Sequence, residues 1–125
     1  MSYPYGTPVV RVGGIARLTP NGPVLMETAD HAAIGISEVV IYGPHLQMKF
    51  TQKGAVVSAN VTADDALTSR GILTGVYGGV RHVTVTFYDT KLGRQLNLSD
   101  QSDYDRAASW ESNIWVDVVH IKQGC

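Results

Sequence analysis

The chain has 125 residues, a formal charge of −1 and only 17% charged residues. That length suits one domain with a real core of its own, without metal or disulfide support. Near-neutral charge with no basic block excludes a non-specific nucleic-acid binder, no run of about 18 apolar residues offers a membrane span, and a single cysteine, Cys125, excludes an internal disulfide framework.

Charged residues fall below the roughly 25% usual for globular proteins, while Val, Thr and Gly are abundant. This composition suits a sheet protein, either one with a lean surface or one that hides surface against partners. Residues 1–8, MSYPYGTP, lack the charged and then apolar profile of a secretory leader, so a cytoplasmic or virion location is expected. Two prolines, Tyr3 and Tyr5 make this stretch an extended arm, expected to lie on another chain. Residues 9–125 are then expected to form a single β domain.

Along that domain, Val10, Val12, Ala16 and Leu18 share one strand face, and Arg11 and Arg17 the other. Gly13-Gly14 predicts a bulge or a close backbone approach. Pro20-Asn21-Gly22-Pro23 predicts a turn, with Val24 to Thr28 returning. A short connection or one helical turn is expected at Asp30–Ala33. Between Ile34 and Tyr42 the alternation slips at Ser37-Glu38, which predicts a bulge or a strand buried on both faces. Leu46, Met48 and Phe50 alternate inward, with His45, Gln47 and Lys49 outward. A turn at Gln52–Gly54 leads to Val57, Ala59 and Val61, also expected inward.

Residues 62–71, TADDALTSRG, carry the best helix signal: Thr62 as cap, early aspartates, Arg70 late and Gly71 to end it. One short helix near 63–70 is expected. The clearest strand follows, with Val83, Val85 and Phe87 on one face and His82, Thr84, Thr86 and Tyr88 on the other. Lys91–Arg94 turns the chain, and Leu96 and Leu98 return in phase, which predicts a hairpin. Residues 99–109, SDQSDYDRAAS, read as a long polar loop. Ile114–Ile121 is apolar on both faces, as in a central strand or one whose second face meets another subunit. The whole predicts an all-β, mostly antiparallel sandwich or barrel of about 8 strands.

Sites of chemistry are sparse. His31, His45, His82 and His120 have no paired spacing, and no second thiol supports a metal set. Asp100, Asp103, Asp105 and Glu111 can supply oxygens to calcium, but the run lacks the glycine and final glutamate of a calcium loop. No nucleophile elbow, Walker loop or dinucleotide fingerprint occurs, and Gly75–Gly79 precedes no helix that would hold a phosphate. Asn60-Val61-Thr62 and Asn97-Leu98-Ser99 match glycosylation acceptors by chance in a chain read as unsecreted. Neither a catalytic residue, a cofactor nor a metal is expected. Trp115 reads as a core residue. Trp110, with Tyr3, Tyr5 and Cys125, is expected at a partner interface.

In size and composition the chain is similar to small β-rich proteins of tailed-phage particles, such as capsid cement or tail-completion proteins, although no motif carries the likeness. The expected function is non-enzymatic: a structural or assembly protein, homo-oligomeric or part of a larger particle, with protein partners rather than nucleic acid or membrane. The alternatives are a β-sandwich binding module for a carbohydrate or small ligand, and a small β-barrel enzyme.

Overall fold

A computed structural model describes residues 9–26, 35–51 and 54–122. The expected arm at 1–8, the connection at Asp30–Ala33, the turn residues Gln52 and Lys53, and Cys125 lie outside them. Among the described residues, nine strands and two short helices follow in the order β1 (Val9–Thr19), β2 (Gly22–Met26), β3 (Ile36–Tyr42), β4 (His45–Phe50), β5 (Gly54–Ala63), α1 (Asp65–Thr68), β6 (Ile72–Gly78), β7 (His82–Asp89), β8 (Arg94–Gln95), α2 (Gln101–Ala107) and β9 (Asn113–Lys122). All strand pairs are antiparallel. Sheet A runs β2-β1-β9-β5. Sheet B runs β3-β4-β7-β6, with β8 also on β7.

Period-two alternation sends one face of each sheet inward. Val12, Ala16 and Leu18 of β1 and Ile114, Val116 and Val118 of β9 meet Leu46, Met48 and Phe50 of β4 and Val83, Val85 and Phe87 of β7 in one buried cluster. The architecture is a sandwich; among the described residues no hydrogen-bonded ladder joins the two sheets into a barrel. No helix among these residues is long and apolar enough to cross a membrane.

The slip at Ser37-Glu38 is a bulge: the register of β3 on β4 shifts between Ile36 and Glu38, so that Ile36, Val39 and Ile41 all turn toward the core. A second bulge lies in β5 between Val56 and Ser58; Ala59 and Val61 pack on the core as expected, joined by Val56. At Gly13 the register of β1 on β9 is unbroken. The glycine serves close approach instead, since a Cβ there would meet Val116 O at 2.9 Å.

Three expectations are corrected. The cap of α1 is Asp64 and not Thr62, because Asp64 Oδ1 accepts from Ala66 N–H at 3.2 Å. Gly71, with φ +78°, follows α1 as expected. The hairpin expected over 82–98 closes, but β8 pairs for two residues only. Leu96 N–H donates to Phe87 O and the chain then leaves, because β4 already occupies the rest of that edge of β7. Residues 99–109 are not all loop: Asp100 caps a second helix, α2, through Ser102 N–H.

Phe87 is among the largest fully buried side chains. Its replacement by alanine should cost about 3–5 kcal/mol in urea unfolding, from lost transfer energy and the cavity left behind. An unchanged midpoint would mean that Phe87 lies outside the core.

Candidate interaction face

The outward face of sheet B is set by the same alternation that fills the core. Across the sheet the facing residues form rows: Val40, Gln47, Thr84 and Tyr77; then Tyr42 and His45; then Gln95, Tyr88 and Leu73. Tyr42 is 69% exposed, and Tyr77, Tyr88 and Leu73 are also well exposed. The His45 and Tyr77 rings meet edge to face, centroids 6.3 Å apart, across the β7 strand between them. Thr84, flanked by Gln47 and Tyr77 in the ladder, is left only 2% exposed although it points away from the core.

Among the described residues of its strands, fixed charge enters this face only at the Glu38–Lys49 pair at one end, where the two side chains approach to 3.2 Å. The rest is tyrosine, histidine, threonine, glutamine and aliphatic carbon. Tyrosine brings a large apolar area with few torsions to freeze and a hydroxyl that still hydrogen-bonds, so such a surface is inexpensive to order against another protein.

The outward face of sheet A differs. Arg11 pairs with Asp117 at 2.6 Å, and Arg17 Nε donates to Asn113 Oδ1 at 2.7 Å. Between them runs an apolar row of Met26, Ile15 and Trp115. Trp115 is thus not a core residue. It sits on the outer face, 39% exposed, because Ile114 and Val116 take the inward positions on either side.

Of the residues expected at a partner interface, Trp110 is 60% exposed. It borders a shallow depression with Ala66, Ser69, Arg70, Ser109 and Glu111. It lies in the turn between α2 and β9, and none of the residues of the tyrosine face lines that depression. Tyr3, Tyr5 and Cys125 lie outside the described residues. His45 and His82 are on the outward face of sheet B, as their strand phase predicts. Among the described residues no group of three or more potential metal ligands converges.

The acids that suggested calcium are directed to separate tasks. Arg94 grips Asp103 with both nitrogens at 2.7 and 2.8 Å, and Asn97 N–H adds a third bond. Asp100 caps α2, and Asp105 accepts from Gln101 at 2.7 Å. Arg106 donates to the buried Asp89 at 2.6 Å. Tyr104 reaches Thr19 O at 2.7 Å from within the core, where burial pushes its phenol up to about 12. Arg70 completes the clamp by donating to the carbonyls of Arg106 and Ala108 at the end of α2. The helix is thereby fixed as a plug on one end of the sandwich.

The tyrosine face was partly legible in advance. Alternation places Tyr88 outward, but Tyr42 ends a bulged strand and Tyr77 lies in a glycine-rich stretch, so neither stands out. The signal available was their phase against Ile41 and Val76.

No protein-family model, curated protein or solved structure matches this chain. Its function is therefore read from surface chemistry.

The acid clamp carries a pH dependence. The Arg94 hydrogen bonds, then the Asn97 N–H, hold Asp103 below its ordinary 3.8, at about 2. Arg106 likewise lowers Asp89. A carboxyl lowered on folding stabilises the fold above its unfolded pKa and loses that contribution as the pH falls toward the folded value. Urea midpoints should therefore drop between about pH 4 and pH 2. Asp103→Asn should be less stable at neutral pH and show a shallower acid slope; an identical slope would remove the Arg94 pair as its cause.

Proposed function

We propose that this chain is a non-enzymatic assembly protein, a small component of a larger particle such as a phage virion, that docks protein partners through the outward face of sheet B. The observation that carries this reading is the row pattern of that face: exposed Tyr42, Tyr77 and Tyr88 among neutral polar and aliphatic residues, with charge confined to one end. Interface cores are enriched in tyrosine and depleted of lysine and aspartate, and this face shares that composition. The acidic groups nearest to a catalytic pattern, Asp89 and Asp103, are engaged with arginines, which suits anchoring rather than proton transfer.

Tyr42→Lys with Tyr88→Lys tests the reading. Both side chains are exposed, so the thermal midpoint should stay within a few degrees of the unaltered chain. Assembled material should shift toward lower mass in analytical ultracentrifugation, or the protein should be lost from its particle. Unchanged assembly by a folded double variant would sink the proposal.

A second reading, a carbohydrate-binding module, is favoured by one feature, the exposed Trp110 ring beside Arg70 and Glu111. An indole can lie against a sugar ring while the flanking charged groups take its hydroxyls. Titration with neutral oligosaccharides should then change tryptophan fluorescence, and Trp110→Ala should abolish the change. No change in the unaltered chain dismisses this reading.

A further inference from the structure

A sandwich has four edge strands, and each exposes a row of backbone groups that another strand can pair with. Among the described residues the edges are β2 and β5 in sheet A and β3 and β6 in sheet B. Three of them carry features that discourage pairing. β2 is short and contains Pro23. β5 and β3 are each bulged, and β3 also carries Glu38. β6, Ile72-Leu73-Thr74-Gly75-Val76-Tyr77-Gly78, has none of these. It contains no charge and no proline, and it keeps an unbroken register on β7 over all seven residues.

Two hydrogen bonds fix which backbone groups of β6 are free. Gly71 O accepts from Thr90 N–H at 2.9 Å and Gly79 N–H donates to His82 O at 2.8 Å. In an antiparallel pair, alternate residues direct both N–H and C=O to the same side. Leu73, Gly75 and Tyr77, in phase with Gly71 and Gly79, therefore bond to β7. Ile72, Thr74, Val76 and Gly78 direct their N–H and C=O away from the sheet. Val56 of β5 lies close to Gly78, where a Cβ would come within 2.7 Å of it, but that contact is on the inward face. β5 runs close beside β6, and among the described residues no hydrogen-bonded ladder joins the two.

We infer that β6 pairs with β6 of a second copy, antiparallel about a two-fold axis through Gly75. This deepens the assembly reading by naming one partner. Centred on Gly75, the register sets Thr74 opposite Val76 of the other copy, and Ile72 opposite Gly78. These four residues are the ones with free backbone groups, so donors and acceptors match along the whole strand. Leu73 then faces Tyr77 of the other copy on the outward side, an aliphatic–aromatic pair at the closer, non-hydrogen-bonded spacing. Gly75 meets its own mate at the axis, where the absence of a side chain admits the closest approach. No like charges meet, and the contact is isologous, so it closes as a dimer and does not propagate. The two tyrosine faces become one continuous surface on a doubled sheet.

Sedimentation equilibrium over a concentration series, with amide exchange followed on the same full chain, tests this. The mass should approach twice that of one chain as concentration rises, and the Thr74 and Val76 amides should slow in step. Thr74→Pro removes an outward donor that β7 does not use, so the variant should melt like the unaltered chain and return to the mass of one chain. A single-chain mass at every concentration overturns the inference. So does a dimer in which Thr74 and Val76 exchange as fast as in dilute protein, or a folded Thr74→Pro protein that still dimerises. If that variant does not fold, exchange on the unaltered chain decides alone. Tyr42 is on β3, at the opposite edge of the sheet, so loss of the edge contact and loss of docking at Tyr42 are read separately.

Discussion

Sheet A depends on the insertion of β9 between β1 and β5. Among the described residues β5 has no other partner in its sheet, and β1 without β9 would be only half of a hairpin with β2. The insertion requires backbones to come close, and Gly13 provides for it where Val116 O passes. It also brings the two ends of the described chain side by side, with Val9 opposite Ile121. A contact of such long sequence separation closes a large loop at an entropic cost, which the buried Ile114, Val116 and Val118 offset.

The opposite sheet holds its place through β7, which pairs along one edge with β6 and along the other with β4 and β8 in turn. Its inward Val83, Val85 and Phe87 join the core, and Asp89 at its end receives Arg106 of α2. The same strand thus links the packed interior to the clamp that holds the helical plug. Arg94–Asp103 works from the neighbouring turn. Each of these pairs joins an exposed guanidinium to a nearly buried carboxylate, a geometry in which removing one partner strands the other.

The surface divides by character. Sheet A turns outward a face of arginines, an aspartate and one apolar row, while sheet B turns outward neutral tyrosines. Edges divide in the same way, with three blunted by a proline or a bulge and one left regular. A chain that blunts most of its edges limits uncontrolled strand pairing. The regular edge and the tyrosine face both belong to sheet B, so the proposed association surfaces lie on one side of the sandwich.

Local pattern determined much of this. Alternation in β4 and β7 was enough to name Leu46, Met48, Phe50, Val83, Val85 and Phe87 as core, because a half-buried strand has a strict period of two. The slip at Ser37-Glu38 marked a bulge for the same reason. Tertiary structure decided the rest. Asp100 and Arg106 looked like loop residues until a cap, a salt bridge to Asp89 and the carbonyl bonds from Arg70 made a helix of a segment too short to hold one alone. Trp115 looked like core because β9 is apolar on both faces, and only its pairing between β1 and β5 showed which face is inward. Which strand edges stay open follows from strand order, a relation among distant segments that no local period encodes.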